Sequence, residues 1–224
     1  EKHLQASFKN RDAFNFFNSR AWADSLDSKY NEAPIAIDWN WGANKANLYL
    51  EKNYNLQIDI KDENTVVFKY TISTENTSEN LVYPQGNYIN YQRIYIPSYA
   101  TVISVKGMDN NKYSTYKESG FKVLGGWFNT KIKDVNTLEI SYQLKRTAEN
   151  ASFPIVKNGD NLFLTIDLFK QPGEKSHAYK LDITYPSSWN IENADNLNTI
   201  QNQLSTRFEL NKDTNFDIVW RQSD

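Results

Sequence analysis

Residues 48–73, LYLEKNYNLQIDIKDENTVVFKYTIS, constrain the fold more than any other stretch of the chain. Leu48 and Leu50, then Tyr54, Leu56, Ile58 and Ile60, and then Val66, Phe68, Tyr70 and Ile72 place apolar side chains at alternate positions. Successive side chains of a strand point to opposite faces, so this period predicts two long strands, each with one buried face. Lys52 and Asn53 interrupt the first run and are read as a bulge. Lys61-Asp62-Glu63-Asn64 is a polar connection short enough to pair the two strands as a hairpin.

The same pattern recurs along the chain. Pro34 opens a short strand over 35–38, a position where no ladder donor is needed. Further strands are expected at 91–97, 100–107, 120–130, 137–144, 161–169 and 178–186, with a last pair inside 205–220. The run 73–80 reads as a loop, and 145–160, KRTAENASFPIVKNGD, as a long crossing loop. Only the N-terminus reads as helix: Leu4, Phe8, Phe14, Phe17 and Trp22 suit one apolar face, with Asn10 or Asp12 as a cap. The 14 Tyr, 12 Phe and 6 Trp against 8 Gly and one Met favour pleated, half-buried surfaces. The expected fold is mainly β: an immunoglobulin-like β-sandwich, one or two abutting, behind a short helical segment. In residue ranges, 1–33 is the helical segment and 34–148 a β-sandwich. Residues 149–224 either complete that sandwich or form a second small β unit.

Several kinds of chemistry lack their parts. With no cysteine there is neither a disulfide, nor a thiolate metal site, nor a cysteine nucleophile. His3 and His177 are the two histidines, and no Gly-x-Ser-x-Gly elbow accompanies them, so a serine triad is not expected. The turns at 109–111 and 157–161 lack the full pattern of a calcium loop, and no glycine-rich phosphate loop precedes a helix. A formal charge of −2 argues against nucleic acid as a partner. No cofactor, metal or catalytic residue is assigned. A pair of carboxylates acting on polysaccharide stays open, since sequence does not show their separation.

The densest polar and aromatic cluster is DWNWGANKAN, residues 38–47. Trp39 and Trp41 offer flat apolar faces, while Asp38, Asn44, Lys45 and Asn47 offer directional hydrogen bonds, a combination suited to a sugar or a peptide strand. The same asparagines could instead bond their own backbone and simply fix the turn.

RDAFNFF at 11–17, Trp22, IAID at 35–38, NKAN at 44–47, GFKVLGGWF at 120–128 and FKQPGE at 169–174 occur in an order and spacing that span nearly the whole chain. Together they resemble the C-terminal part of the bacterial domain of unknown function 4012 family. Asp38, Gly42, Asn44, Lys45 and Asn47 match its turn, whereas Trp39 and Trp41 stand where that pattern usually has small residues. The resemblance implies an extracytoplasmic part of a membrane-anchored cell-envelope protein, with the transmembrane helix upstream of Glu1, and no particular activity. The expected role is a non-catalytic surface module that binds cell-wall glycan or another envelope protein through Asp38, Trp39, Trp41, Asn44, Lys45 and Asn47. The alternatives are an envelope polysaccharide-processing enzyme and a structural spacer.

Overall fold

The computed structural model describes residues 9–18, 32–147 and 153–222; His3 and Trp22 lie outside them. One α-helix, α1 (Arg11–Asn18), is present among these residues. Asn10 caps it, its Oδ1 accepting from the amides of Asp12 and Ala13 at 2.9 and 3.0 Å. No helix among the described residues is long and apolar enough to cross a membrane.

The rest is strand and turn. In chain order the strands are β1 (Ile35–Asn40), β2 (Leu50–Asp62), β3 (Thr65–Asn76), β4 (Asn90–Pro97) and β5 (Thr101–Lys106). These are followed by β6 (Ser114–Glu118), β7 (Phe121–Trp127), β8 (Val135–Lys145), β9 (Ile155–Asn158) and β10 (Asn161–Leu168). The last five are β11 (His177–Thr184), β12 (Trp189–Ala194), β13 (Asn198–Ile200), β14 (Gln203–Leu210) and β15 (Thr214–Gln222). The fold is mainly β and sandwich-like, as the alternation predicts. Strand β9 occupies part of the stretch read as a crossing loop, and β3 runs on to Asn76, into the stretch read as a loop.

Three sheets form. A seven-stranded sheet has the order β13-β14-β11-β2-β3-β8-β5, and four-stranded sheets have the orders β1-β4-β7-β6 and β12-β15-β10-β9. Neighbours are antiparallel except β11 and β2, which run parallel. Strands from both sides of residue 150 therefore share the largest sheet. One apolar cluster draws from all three sheets: Leu56, Phe68, Ile140 and Leu181 from the largest, Ile94 and Leu124 from the second, Leu164, Ile218 and Trp220 from the third. Burying side chains of this size contributes roughly 1.5–3 kcal/mol each, which makes this cluster the main source of stability.

The bulge expected at Lys52 and Asn53 is absent. β2 pairs with β3 in unbroken register from Leu50↔Asn76 to Ile60↔Val66, and the irregularity falls between Ile60 and Asp62. Leu50, Lys52, Tyr54 and Leu56 all face inward, so nothing slips: a lysine occupies a core position.

Candidate functional site

The second sheet carries the exposed tryptophans. Register places Trp39 of β1 opposite Tyr91 of β4, and Tyr91 opposite Trp127 of β7, so three aromatic side chains form one row across one face. Trp41, just past the end of β1, closes on the row: its ring centroid is 4.8 Å from Trp39 and 6.1 Å from Trp127. Tyr91 meets Trp127 edge to face at 5.3 Å. Contacts of this geometry hold aromatic rings in place beyond their area burial. Even so, Trp39, Trp41 and Trp127 remain 55, 54 and 42% exposed. Toward the other end of this face Ile35, Tyr95, Phe121 and Val123 are buried, with Phe169 packed on them. The face thus grades from a covered end to an open aromatic one.

Gly125 makes room for this arrangement. A Cβ there would stand 2.8 Å from the Tyr91 hydroxyl and 3.2 Å from the Tyr116 ring. Gly126 points the other way, where a Cβ would meet the Met108 sulfur at 2.5 Å. The double glycine of VLGGW therefore serves two faces at once: an aromatic side chain lies over the first, and the second permits close packing below.

Behind the aromatic row the same strands turn polar groups inward. Asp38, next to Trp39 and so on the opposite face, binds Lys52 Nζ and accepts from the Tyr88 hydroxyl at 2.8 Å. Lys52 also donates to both oxygens of Glu174, at 2.9 and 3.0 Å, and Glu174 Oε2 lies 2.9 Å from His177 Nε2. Gln171 brackets the Asp38 backbone, accepting from its amide at 2.7 Å and donating to its carbonyl at 3.2 Å. Side-chain exposure is 2% for Lys52, 6% for Asp38 and 13% for Glu174. Burial alone would lower the Lys52 pKa, but the two carboxylates outweigh it and raise it well above the ordinary lysine value. Burial likewise favours neutral Glu174, yet the Lys52 charge and the His177 contact hold its carboxyl down to about 2. The network ties β1 to β2 and to the turn before β11, so it sets the position of the strand that carries Trp39. Asn90 and Gln92, both buried, extend this support: Asn90 Oδ1 accepts from the Trp39 amide at 2.9 Å, and Gln92 Nε2 donates to the Ile37 carbonyl at 3.1 Å.

The residues singled out in DWNWGANKAN therefore divide. Trp39 and Trp41 share the exposed aromatic face, and Asp38 is in the buried network behind it. Asn44 fixes the turn: its Oδ1 accepts from the Ala46 amide at 3.1 Å, and its Nδ2 donates to the Asn87 carbonyl at 3.0 Å. Lys45 and Asn47 are exposed on the following turn, a short 3-10 segment over Ala46–Tyr49. Sequence reasoning missed Tyr91, Trp127, Lys52 and Glu174 as members of this region. Asp38 and Glu174 both bind the Lys52 ammonium, and with side chains 6 and 13% exposed both carboxyls are engaged within the fold. Among the described residues no group of three or more His, Asp or Glu is placed to hold a metal.

No family model matches the chain, and no curated protein matches it. Backbone likeness does exist. A provisionally named nutrient-binding protein of Legionella pneumophila is 6% identical, with 86% of this chain and 70% of that one covered and a TM-score of 0.51. An M1 zinc metallopeptidase of Deinococcus radiodurans is 8% identical with a TM-score of 0.42; the match covers 77% of this chain and less than half, 42%, of that one. The folded domain of LppM from Mycobacterium tuberculosis is 10% identical, with 77% of this chain and 91% of that one covered and a TM-score of 0.37. At such identities the Legionella likeness indicates a shared fold and carries no residue roles.

Proposed function

We propose that the chain is a non-catalytic recognition module that binds glycan on the aromatic face of the second sheet. The observation that carries this reading is the in-register row Trp39–Tyr91–Trp127 with Trp41 beside it, held in place from below and left open above. Adjacent strands lie about 4.8 Å apart, so the row offers a rigid apolar platform about 10 Å across. Rings of this kind cover the apolar face of a sugar while their N–H and O–H groups stay free to hydrogen-bond. Lys45 and Asn47, exposed on the adjoining turn, supply polar contacts at its margin, while Asp38 and Asn44 act by positioning the strand and the turn. The resemblance to the domain of unknown function 4012 family supports an extracytoplasmic setting on a membrane-anchored bacterial protein, with cell-wall glycan as the ligand class.

A protein partner is the second reading, favoured by one observation. Leu48, Leu81, Val82 and Tyr83 are exposed at 64–71%. The loop that carries the last three packs on the Trp41 turn through the Lys45 amide to the Pro84 carbonyl at 2.9 Å. Contiguous exposed apolar side chains mark interaction surfaces. Binding of purified neutral cell-wall polysaccharide that is lost in Trp41→Ala and Trp127→Ala but kept in Leu81→Asp supports the glycan reading. Retention of polysaccharide binding in both tryptophan variants would refute it.

A further inference from the structure

The outer face of the seven-stranded sheet carries a feature that neither the turn nor the aromatic row explains. Register sets Tyr54, Tyr179 and Phe208 in one cross-strand row that turns inward. The outward rows on either side are Asn53–Ala178–Glu209 and Asn55–Lys180–Arg207. Between them runs a trough of about 540 Å³, closed at its β3 end by Thr71 and Ser73. Tyr54, Tyr179 and Phe208 of the intervening row also line it. A second hollow of about 410 Å³ continues it past Lys180, beside Gln57, Asp182 and Ser205.

Two things about this trough are unusual. Lys180 and Arg207 are direct cross-strand partners, and like charges placed directly opposite destabilise a sheet. Lys180 is offset by Asp182 on its own strand at 2.5 Å. Arg207, exposed, makes no hydrogen bond or ion pair with any described residue, and Glu209 stands across the trough in the other row. Next to Lys180 in the same row, the Asn55 amide oxygen is shielded from solvent and has no hydrogen-bond partner among the described residues. A half-turn of the amide exchanges its donor and acceptor ends, so either can be offered to a ligand. Asn55 is one of five residues with a buried, unpartnered side-chain atom among the described residues, and the one of them that lines this trough.

We propose that this trough is a second binding site, for an anionic saccharide whose carboxylate or phosphate is gripped by Arg207 and Lys180. The hydroxyl-rich body of the ligand lies along Asn53, Asn55, Thr71 and Ser73, where amide and hydroxyl groups alternate as donors and acceptors. Arg207 supplies the planar fork that matches a carboxylate or phosphate, and Lys180 adds a point charge. The site lies on a different sheet from the aromatic row and stands or falls independently of it.

The test is calorimetric titration of the chain with three probes: oligogalacturonate, a short poly(glycerol phosphate) and a neutral oligoglucan, each at two salt concentrations. The expected result is saturable, salt-sensitive binding of an anionic probe, weakened at least tenfold in Arg207→Gln and in Asn55→Ala. Binding should persist in Trp127→Ala, which separates this site from the aromatic face. Binding of one anionic probe alone supports the site and identifies its source as carboxylated or phosphorylated. Because removing one of two opposed cations relieves repulsion, Arg207→Gln should melt no lower than the parent chain, so lost binding would not be lost folding. Equal binding of the neutral probe, anionic binding that survives Arg207→Gln, or no binding of either anion overturns the proposal.

Discussion

Lys52→Met keeps the unbranched stem as far as Cε and removes the one ammonium that holds Asp38 and Glu174. Breaking a buried ion pair by deleting one partner costs about 3–5 kcal/mol, because the remaining charge is stranded away from water. Here two carboxylates are stranded, with side chains 6 and 13% exposed, so the upper half of that range is expected at pH 7. For a domain of this size each kcal/mol moves the midpoint by about 2–4 °C, which gives a fall of about 8–20 °C in thermal unfolding. The pH dependence is the sharper check. In the parent chain the Glu174 pKa lies near 2, below the ordinary value of 4.5. Its contribution is therefore present above pH 4.5 and lost as pH falls through 2. In the variant only the His177 contact still opposes burial, so the Glu174 carboxyl moves up and its protonation on acidification relieves the stranded charge. The gap between parent and variant should narrow steadily from pH 7 to pH 3, and adding Glu174→Gln should restore part of the loss at pH 7. A loss below about 1 kcal/mol at neutral pH, or a gap that does not close on acidification, would refute the reasoning.

Three further outcomes are expected. Gly125→Ala drives a methyl against the Tyr91 hydroxyl, so it should cost about 1–3 kcal/mol and disorder the aromatic row, seen as a changed near-ultraviolet circular dichroism signal. Burial pushes the Glu32 carboxyl up to about 7 against the opposing hydrogen bond from Tyr99, so its stabilising effect is full below pH 4.5 and lost as pH rises through 7. Glu32→Gln should match the parent at pH 4 or below and exceed it by about 1–3 kcal/mol at pH 8 in urea unfolding. Asn44→Ala should lower stability by about 1–2 kcal/mol by stripping the turn of its side-chain bonds, whereas Lys45→Ala should stay within about 0.5 kcal/mol, both read from denaturant midpoints.

Most long strands were legible because their apolar residues alternate, and β2, β3 and β8 are clear instances. The short strands β6, β12 and β13 escaped notice: β13 is wholly exposed and STYKE has no buried face, so no hydrophobic period marks them. Lys52 was misread for a related reason. A lysine at an inward position looks like a break in the pattern, and the carboxylates that make its burial tolerable sit 14 and 122 positions away. The opening turn was legible as a cluster but not as a site. Neighbours along a strand face opposite ways, so Asp38 and Trp39 belong to different surfaces although they adjoin in sequence. Trp127 lay in a stretch read as strand, yet only the pairing of β1, β4 and β7 brings it level with Trp39, and register between distant strands is not written in local pattern. The Gly-Gly pair before Trp127 was the available signal, since adjacent glycines in a strand mark close approach on both faces.

The most direct test of the recognition role is a fluorescence titration of the chain with purified cell-wall polysaccharide. Trp39, Trp41 and Trp127 are exposed, while Trp189 and Trp220 are buried, so the exposed set reports on the proposed face. Saturable quenching that disappears in Trp41→Ala and Trp127→Ala, at an unchanged melting temperature, is the predicted result. A parent chain that shows no saturable change, or variants that retain it, would contradict the assignment of the aromatic face as a glycan platform.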